Sequence, residues 1–271
     1  MVKKQLIGND IDVSDKFSSI VRGLFMVAGV FLFISFILFF FDTHYFFFSY
    51  LTSYMFFLTL TLGAMFIVLL QYITSAGWSV VIRRVPEVLM SNIPVMIILF
   101  IPILFGMHDL YHWTHLEAVM HDHLLQIKRP FLNTTFFVIR VIFYFVIWSW
   151  IVKKFFKKSV LQDNTGDHQL TLDLERSSTY CMILFALTLT FAAVDLVMSI
   201  TPHWYSTIFG VYIFAGAVLI GFSVTSLIYM FLRKRNLLRD IVTVEHYHDL
   251  GKLIYGFNIF WSYIAFCQFF L

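Results

Sequence analysis

Residues 176–207 read Arg-Ser-Ser-Thr-Tyr-Cys-Met-Ile-Leu-Phe-Ala-Leu-Thr-Leu-Thr-Phe-Ala-Ala-Val-Asp-Leu-Val-Met-Ser-Ile-Thr-Pro-His-Trp-Tyr-Ser-Thr. The stretch 176–201 is long and apolar enough to cross a bilayer as a helix, for which about 20 residues suffice. Pro202 marks its stop, and the polar aromatic cluster His203-Trp204-Tyr205 follows. Asp195 sits inside the apolar run, about 10 Å from that stop at roughly 1.5 Å per residue. A carboxylate in a bilayer costs several kcal/mol unless it has a partner or a water path, so Asp195 is a functional candidate by default.

The rest of the chain has the same character. It is 60% hydrophobic and 20% aromatic, with 13% charged residues, more apolar surface than a soluble domain of this length can bury. The expected fold class is therefore all-α: a polytopic helical membrane protein, a single integral domain over residues 1–271. Windows of spanning length fall at 17–41, 45–74, 78–107, 131–156, 176–201, 207–232 and 251–271. The polar N-terminus, residues 1–16, lacks the pattern of a removable signal peptide and is expected on the cytoplasmic side. With that topology the inner segments hold Lys3, Lys4, Arg83, Arg84, the Lys153–Lys158 cluster and Arg233–Arg235, while the outer segments hold only Lys128 and Arg129. This asymmetry is a positive-inside signal. The last window runs to Leu271 without a polar flank, so further helices are expected in a longer parent chain. Residues 157–175 read as the one linker-like stretch.

Three features stand out within the spans. Pro86, Pro94 and Pro102 predict a bent or broken third helix. Its inner half carries a polar stripe, Ser79, Arg83, Glu87 and Ser91, at steps of four. Gly210, Gly216 and Gly221 predict close packing of the sixth. Arg140 lies roughly 13 Å into the fourth span, at a depth matching Asp195 in the fifth. Asn133, Arg140 and Tyr144 share one helical face, and Thr188, Asp195 and Ser199 share another, which predicts a common hydrophilic pocket. Two readings of the Arg140/Asp195 pair stand side by side. It is a structural ion pair that fixes helix register, or a proton-accepting site. Glu87 with Arg83, near the inner edge, reads first as an interfacial ion pair and second as a proton entry point.

Cysteine and histidine usage narrows the chemistry. Cys181 and Cys267 lie in apolar spans with no CxxC, so no iron–sulfur cluster, covalent haem or disulfide framework is expected in this chain. Five histidines fall in 108–123, and His246 and His248 form another HxH. A di-metal oxidase needs its histidines on one side of the membrane, and these fall on opposite sides. No histidine lies deep in a span where a bis-histidine haem would need it. No metal site is assigned, and the outer His-rich loop reads as solvated or subunit-contacting.

Four segments together carry a resemblance: Ser75–Arg84, His112–Asp122, Asp195–Gly210 and Glu245–Lys252. The chain resembles the F-type membrane subunit of alternative complex III, a bacterial quinol:cytochrome c oxidoreductase, within the NrfD-like polysulfide-reductase membrane-subunit family. The resemblance runs over most of the chain, and the run Asp-x-x-Met-Ser through Pro-His-Trp-Tyr-Ser-Thr-Ile-Phe-Gly carries it most specifically. It implies a first four-helix bundle over 45–201 and the start of a second over 207–271. It implies a place in the bacterial inner membrane and respiratory electron transport, with quinol as substrate. Its partners would be a sister C-type membrane subunit and subunits carrying haem c and iron–sulfur clusters; no nucleic-acid partner is expected. Relatives are expected to hold an acid just before the motif proline, where this chain has Thr201, which puts any proton route through that second acid in doubt.

On this resemblance three roles compete. In quinol oxidation, Asp195, Arg140 and His203 would handle protons while Trp204, Tyr205, Ser199 and Tyr144 hold the head group; a pocket beside Asp195 is the discriminating feature. In proton coupling, the Arg140/Asp195 pocket and the Glu87/Arg83 stripe would be outer and inner half-channels, with Thr188 and Asn133 on the route; a continuous hydrated line between them is the discriminating feature. In the third role the chain is a scaffold that docks the redox subunits.

Overall fold

The computed structural model describes residues 14–238 and 241–270, with side chains from residue 18 onward. Most of the N-terminal segment assigned to the cytoplasm, together with Arg239 and Leu271, lies outside the described residues. The described chain is helical, with no strand among those residues. Among the described residues seven helical segments are long and apolar enough to cross a membrane, so the protein is a multi-pass helical membrane protein.

The chain falls into two compact units, residues 1–49 and 50–271. The first contains α1 (Ser14–Phe41) and the start of α2 (Thr43–Ile73). Asp42 separates them and its Oδ1 accepts the Tyr45 N–H at 2.9 Å, a side-chain cap for the first turn of α2. From Ser18 to Phe41 α1 is strongly apolar, with a mean hydropathy of 2.8 in its spanning window.

In the second unit the third span is broken as its prolines require. It comprises α3 (Arg84–Met90) and α4 (Ile93–Phe105), with Ser91 and Asn92 at the break and Pro94 in the first turn of α4. Proline there lacks an N–H that the first turn would leave unpaired anyway. The predicted window began at 78, but residues Gly77–Ile82 form a tight 3-10 segment ahead of α3. The polar stripe therefore does not run down one continuous α-helix. Ser79 points its hydroxyl at the Ala76 carbonyl, 2.9 Å away.

Three short helices follow: α5 (Met107–Leu110), α6 (Leu116–His121) and α7 (His123–Lys128), with a 3-10 turn at His112–Thr114. They carry the His-rich segment. Then come α8 (Thr134–Thr165) and α9 (His168–Leu196), a helical hairpin joined only by Gly166 and Asp167. The predicted linker at 157–175 is thus almost wholly helix. Gly166 takes φ 68°, the left-handed cap, and its N–H reaches the Gln162 carbonyl at 2.8 Å. Asp167 caps α9 through the Gln169 N–H. Across the hairpin Lys158 pairs with Asp173 at 2.9 Å, and Gln162 donates to Thr171. The polar composition that read as a linker is the solvated end of two helices that outrun the membrane.

α10 (Phe209–Lys234) packs against α9, and α11 (Val244–Phe270) packs along α10. Buried Ile67, Ile82, Val218, Phe222, Tyr229 and Leu250 join α2, the 3-10 segment, α10 and α11 in one core. The ends of α2, α8 and α10 and the starts of α3, α9 and α11 gather at the end of the bundle richest in lysine and arginine, called here the basic end. The other end holds α5–α7 and the loop after α9.

Candidate functional site

The site is built where α8 meets the end of α9. The α-helix of α9 stops at Leu196, earlier than the Pro202 stop predicted, and a 3-10 turn covers Met198–Ile200. Asp195 is therefore in the last turn of α9 rather than two turns inside it. Stopping a helix in a buried place exposes carbonyls that need donors. Two side chains supply them. Ser199 Oγ donates to the Asp195 carbonyl at 2.5 Å, and the fully buried Tyr111 hydroxyl donates to the Leu196 carbonyl at 3.1 Å. Burial raises the Tyr111 hydroxyl above its ordinary value, with the Asp195 carboxylate adding to the shift, so it stays a donor.

The Asp195 carboxylate is 0% exposed. Arg140 on α8 binds it with both prongs, Nε to Oδ2 and Nη2 to Oδ1, each at 2.8 Å. Tyr144, one turn along α8, donates to Oδ2 at 2.7 Å. The remaining guanidinium nitrogen of Arg140, Nη1, donates to the Phe131 carbonyl at 2.9 Å. The guanidinium carbon lies 3.9 Å from the Phe131 ring centroid and 4.3 Å from that of Phe136. Those rings cover the cation, and Arg140 is 9% exposed. The result is a charge-neutral cluster in which the carboxylate accepts three hydrogen bonds.

The predicted common pocket contracts to Arg140, Tyr144 and Asp195. Asn133 is elsewhere: its Oδ1 caps α8 through the Phe136 N–H at 2.8 Å, and its amide donates to the Arg129 and Pro130 carbonyls. Thr188 accepts the Trp148 indole N–H at 2.9 Å and contributes nothing to Asp195. Ser199 serves the Asp195 backbone, as above, not the carboxylate. His203 faces Asp122, with Nε2 2.7 Å from Oδ2. Trp204 and Tyr205 are exposed, and Trp204 packs edge-on against Phe209 at 5.6 Å. No hydrogen bond or ion pair joins His203, Trp204 or Tyr205 to Asp195 among the described residues. An apolar cavity of about 310 Å³ opens between α4 and α8, walled by Phe100, Ile101, Val141 and Phe145. Asp195 does not line it.

A second carboxylate is buried at the basic end. Glu87 is 1% exposed. Arg84 Nη1 and Ser159 Oγ donate to its Oε2 at 2.8 and 2.9 Å. Arg83, the partner expected from spacing, is looser, with Nε 3.4 Å from Oε1. Its guanidinium lies over the Tyr72 ring at 4.3 Å. Arg84 also reaches Asp163 on α8. Ser159, Asp163 and Tyr72 were not picked out in the sequence, because their partners lie on distant segments. Tyr111, Phe131 and Phe136 were missed at the first site for the same reason.

The loop between the short helices is held by Asp122. Desolvation, the largest single influence, raises its carboxyl. The N–H groups of Leu125 and Leu124 and the nearby His203 imidazole outweigh it, leaving the group below its ordinary 3.8. A carboxyl lowered by folding adds stability above the ordinary value and loses it as pH falls through the folded one. The start of α7 is therefore expected to hold down to about pH 4 and loosen below it. Hydrogen exchange at the Leu124 and Leu125 amides, corrected for intrinsic rates, checks this. Equal protection at about pH 6 and about pH 3 would count against the cap.

Among the described residues no group of three or more His, Cys, Asp or Glu side chains is placed to hold a metal ion. No protein-family model and no curated protein matches the chain.

Proposed function

We propose that this protein is a membrane subunit of a bacterial quinol:cytochrome c oxidoreductase of the alternative complex III type, and that its part is proton coupling rather than quinol binding. The observation that carries the second half is the buried Arg140–Asp195–Tyr144 cluster, closed to any head group. The motif residues that would hold a quinol, His203, Trp204 and Tyr205, lie outside it. At the basic end the buried Glu87 pairs with Arg83 and with the partly exposed Arg84 in a second ionic cluster. α8 contributes to both, through Arg140 and Tyr144 and through Ser159 and Asp163. Between Tyr144 and Ser159, roughly 22 Å along the helix, its buried face is Trp148, Ile151, Val152 and Phe155. No continuous hydrated line joins the two clusters among the described residues; on this reading they are the inner ends of two half-channels, which a conformational change must connect across the apolar stretch.

The basic residues at one end support placing that end, and the N-terminus, in the cytoplasm of a bacterial inner membrane. Quinol chemistry, haem c and iron–sulfur clusters then belong to partner subunits, including a sister C-type membrane subunit. A second reading is favoured by the saturation of Asp195: a carboxylate with three donors is also what a register-fixing ion pair in a scaffold requires.

The test uses the assembled complex with Asp195→Asn and, separately, Tyr144→Phe, which leaves the ion pair intact. Quinol:cytochrome c turnover and proton release are followed together. For coupling, turnover stays within about threefold of the parent while protons released per electron fall in both variants. Loss of turnover with intact assembly would return Asp195 to the quinol reaction. Unchanged turnover and proton release would leave the scaffold reading.

A further inference from the structure

At the basic end, a cavity of about 550 Å³ lies between the end of α10 and the start of α11, lined by Met230, Arg233, Lys234, Asn236, Val244 and Tyr247. Neither ionic cluster described above contributes to it. From this cavity we infer a binding site for the phosphate of an anionic phospholipid head group.

The way α10 ends makes the site. The Leu237 N–H returns to the Leu232 carbonyl and the Asn236 N–H to the Arg233 carbonyl, both at 3.0 Å. That pair of bonds is a Schellman cap, which needs a left-handed residue just past the helix. Asn236 supplies it with φ 58°, and asparagine tolerates that conformation better than most side chains. The cap turns the chain sharply, so the Asn236 amide lines the same hollow as Arg233 and Lys234. Across from them Tyr247 forms the wall, its ring centroid 5.5 Å from the Arg233 guanidinium carbon. No carboxylate among the described residues pairs with Arg233 or Lys234. Lys153, Lys157 and Arg235 at the same end also lack a carboxylate among the described residues, but they do not line this hollow.

A planar guanidinium, an ammonium and an amide around one hollow match the oxygens of a phosphate. The surroundings decide its source. Met230 is one turn nearer the membrane than Arg233 and Lys234, on the same face, and is 54% exposed. A phosphate held at the two cations would lay its glycerol and first acyl carbons on Met230. A free phosphate gains nothing from that wall.

The test uses the purified full chain in detergent, offered vesicle lipid of phosphatidylglycerol or phosphatidylcholine, with retained lipid read by native mass spectrometry. Wild type is expected to retain one phosphatidylglycerol in preference to phosphatidylcholine. Arg233→Gln/Lys234→Gln is expected to weaken that retention about thirtyfold, the effect of two basic residues facing an anionic lipid. Lys153→Gln/Lys157→Gln, which removes two charges elsewhere at the same end, is expected to leave it unchanged. Helicity by circular dichroism checks that each variant folds, and Arg233→Lys, which keeps the charge, should fall between. Equal loss in both double variants would mean diffuse surface charge and overturn the site. So would the absence of any preference for phosphatidylglycerol. Displacement of the lipid by equimolar inorganic phosphate would make it a free-anion site and overturn the lipid assignment.

Discussion

Replacing Arg140 with methionine is expected to destabilise the protein by about 3–5 kcal/mol, the cost of leaving a buried charge without its partner. Asp195 would lose both prongs of the guanidinium and keep only the Tyr144 hydroxyl. It is 0% exposed and cannot swing to water. The reverse variant, Asp195→Asn, is expected to cost less. With its amide oxygen in the place of Oδ2 the asparagine still accepts from Arg140 Nε and Tyr144, losing the Nη2 bond, and the cation keeps the Phe131 carbonyl and two ring faces. Arg140→Met/Asp195→Leu is expected to recover most of the loss, because an apolar pair of similar volume removes both desolvation penalties. Thermal unfolding in detergent, followed by circular dichroism, ranks the three. A single Arg140→Met variant as stable as the parent would show that the pair does not hold α8 to α9. A double variant as weak as the single would show that packing at this depth depends on the ionic contact itself.

That pair was visible in the sequence because the physics is severe. An arginine and an aspartate at matched depth in consecutive antiparallel spans have few alternatives to meeting. The spans were visible for a related reason: apolar length is set by bilayer thickness. What surrounds the pair was not visible. Phe131 and Phe136 are two among 34 phenylalanines, and nothing local distinguishes a ring over a guanidinium from a ring in lipid. Tyr111 reaches Leu196 from 85 positions away, through short helices with no periodic signature. Asn133 and Thr188 were assigned to the pocket by helical phase alone, and local partners claimed both. The 157–175 segment misled because polarity marks water, not the absence of a helix; Gly166 followed by Asp167 was the cap signal that distinguishes the two.

The small residues of α10 give the other large effect, and it falls on a glycine the sequence did not single out. Gly221 was expected to allow close packing; a Cβ there would lie 2.9 Å from the Gly63 carbonyl carbon and 3.2 Å from the Ala64 nitrogen of α2. The contact is tighter still from the other side. A Cβ on Gly63 would meet the Ala217 carbonyl oxygen and lie 2.6 Å from its carbon. Both obstacles are backbone, so no rotamer change relieves them, and the helices must separate. Gly63→Ala is therefore expected to cost at least about 3 kcal/mol, the upper part of the range for overpacking, and Gly221→Ala about 1–3 kcal/mol. Gly216 is the control. Its nearest neighbour would be the Trp261 indole at 3.5 Å, ordinary contact, so Gly216→Ala should unfold with the parent. The same detergent melts measure all three. If Gly63→Ala and Gly216→Ala unfold together, α2 and α10 do not cross backbone to backbone. The small-residue stripe would then be a lipid-facing accident of composition rather than the contact that seats α10, and with it α11, on the bundle.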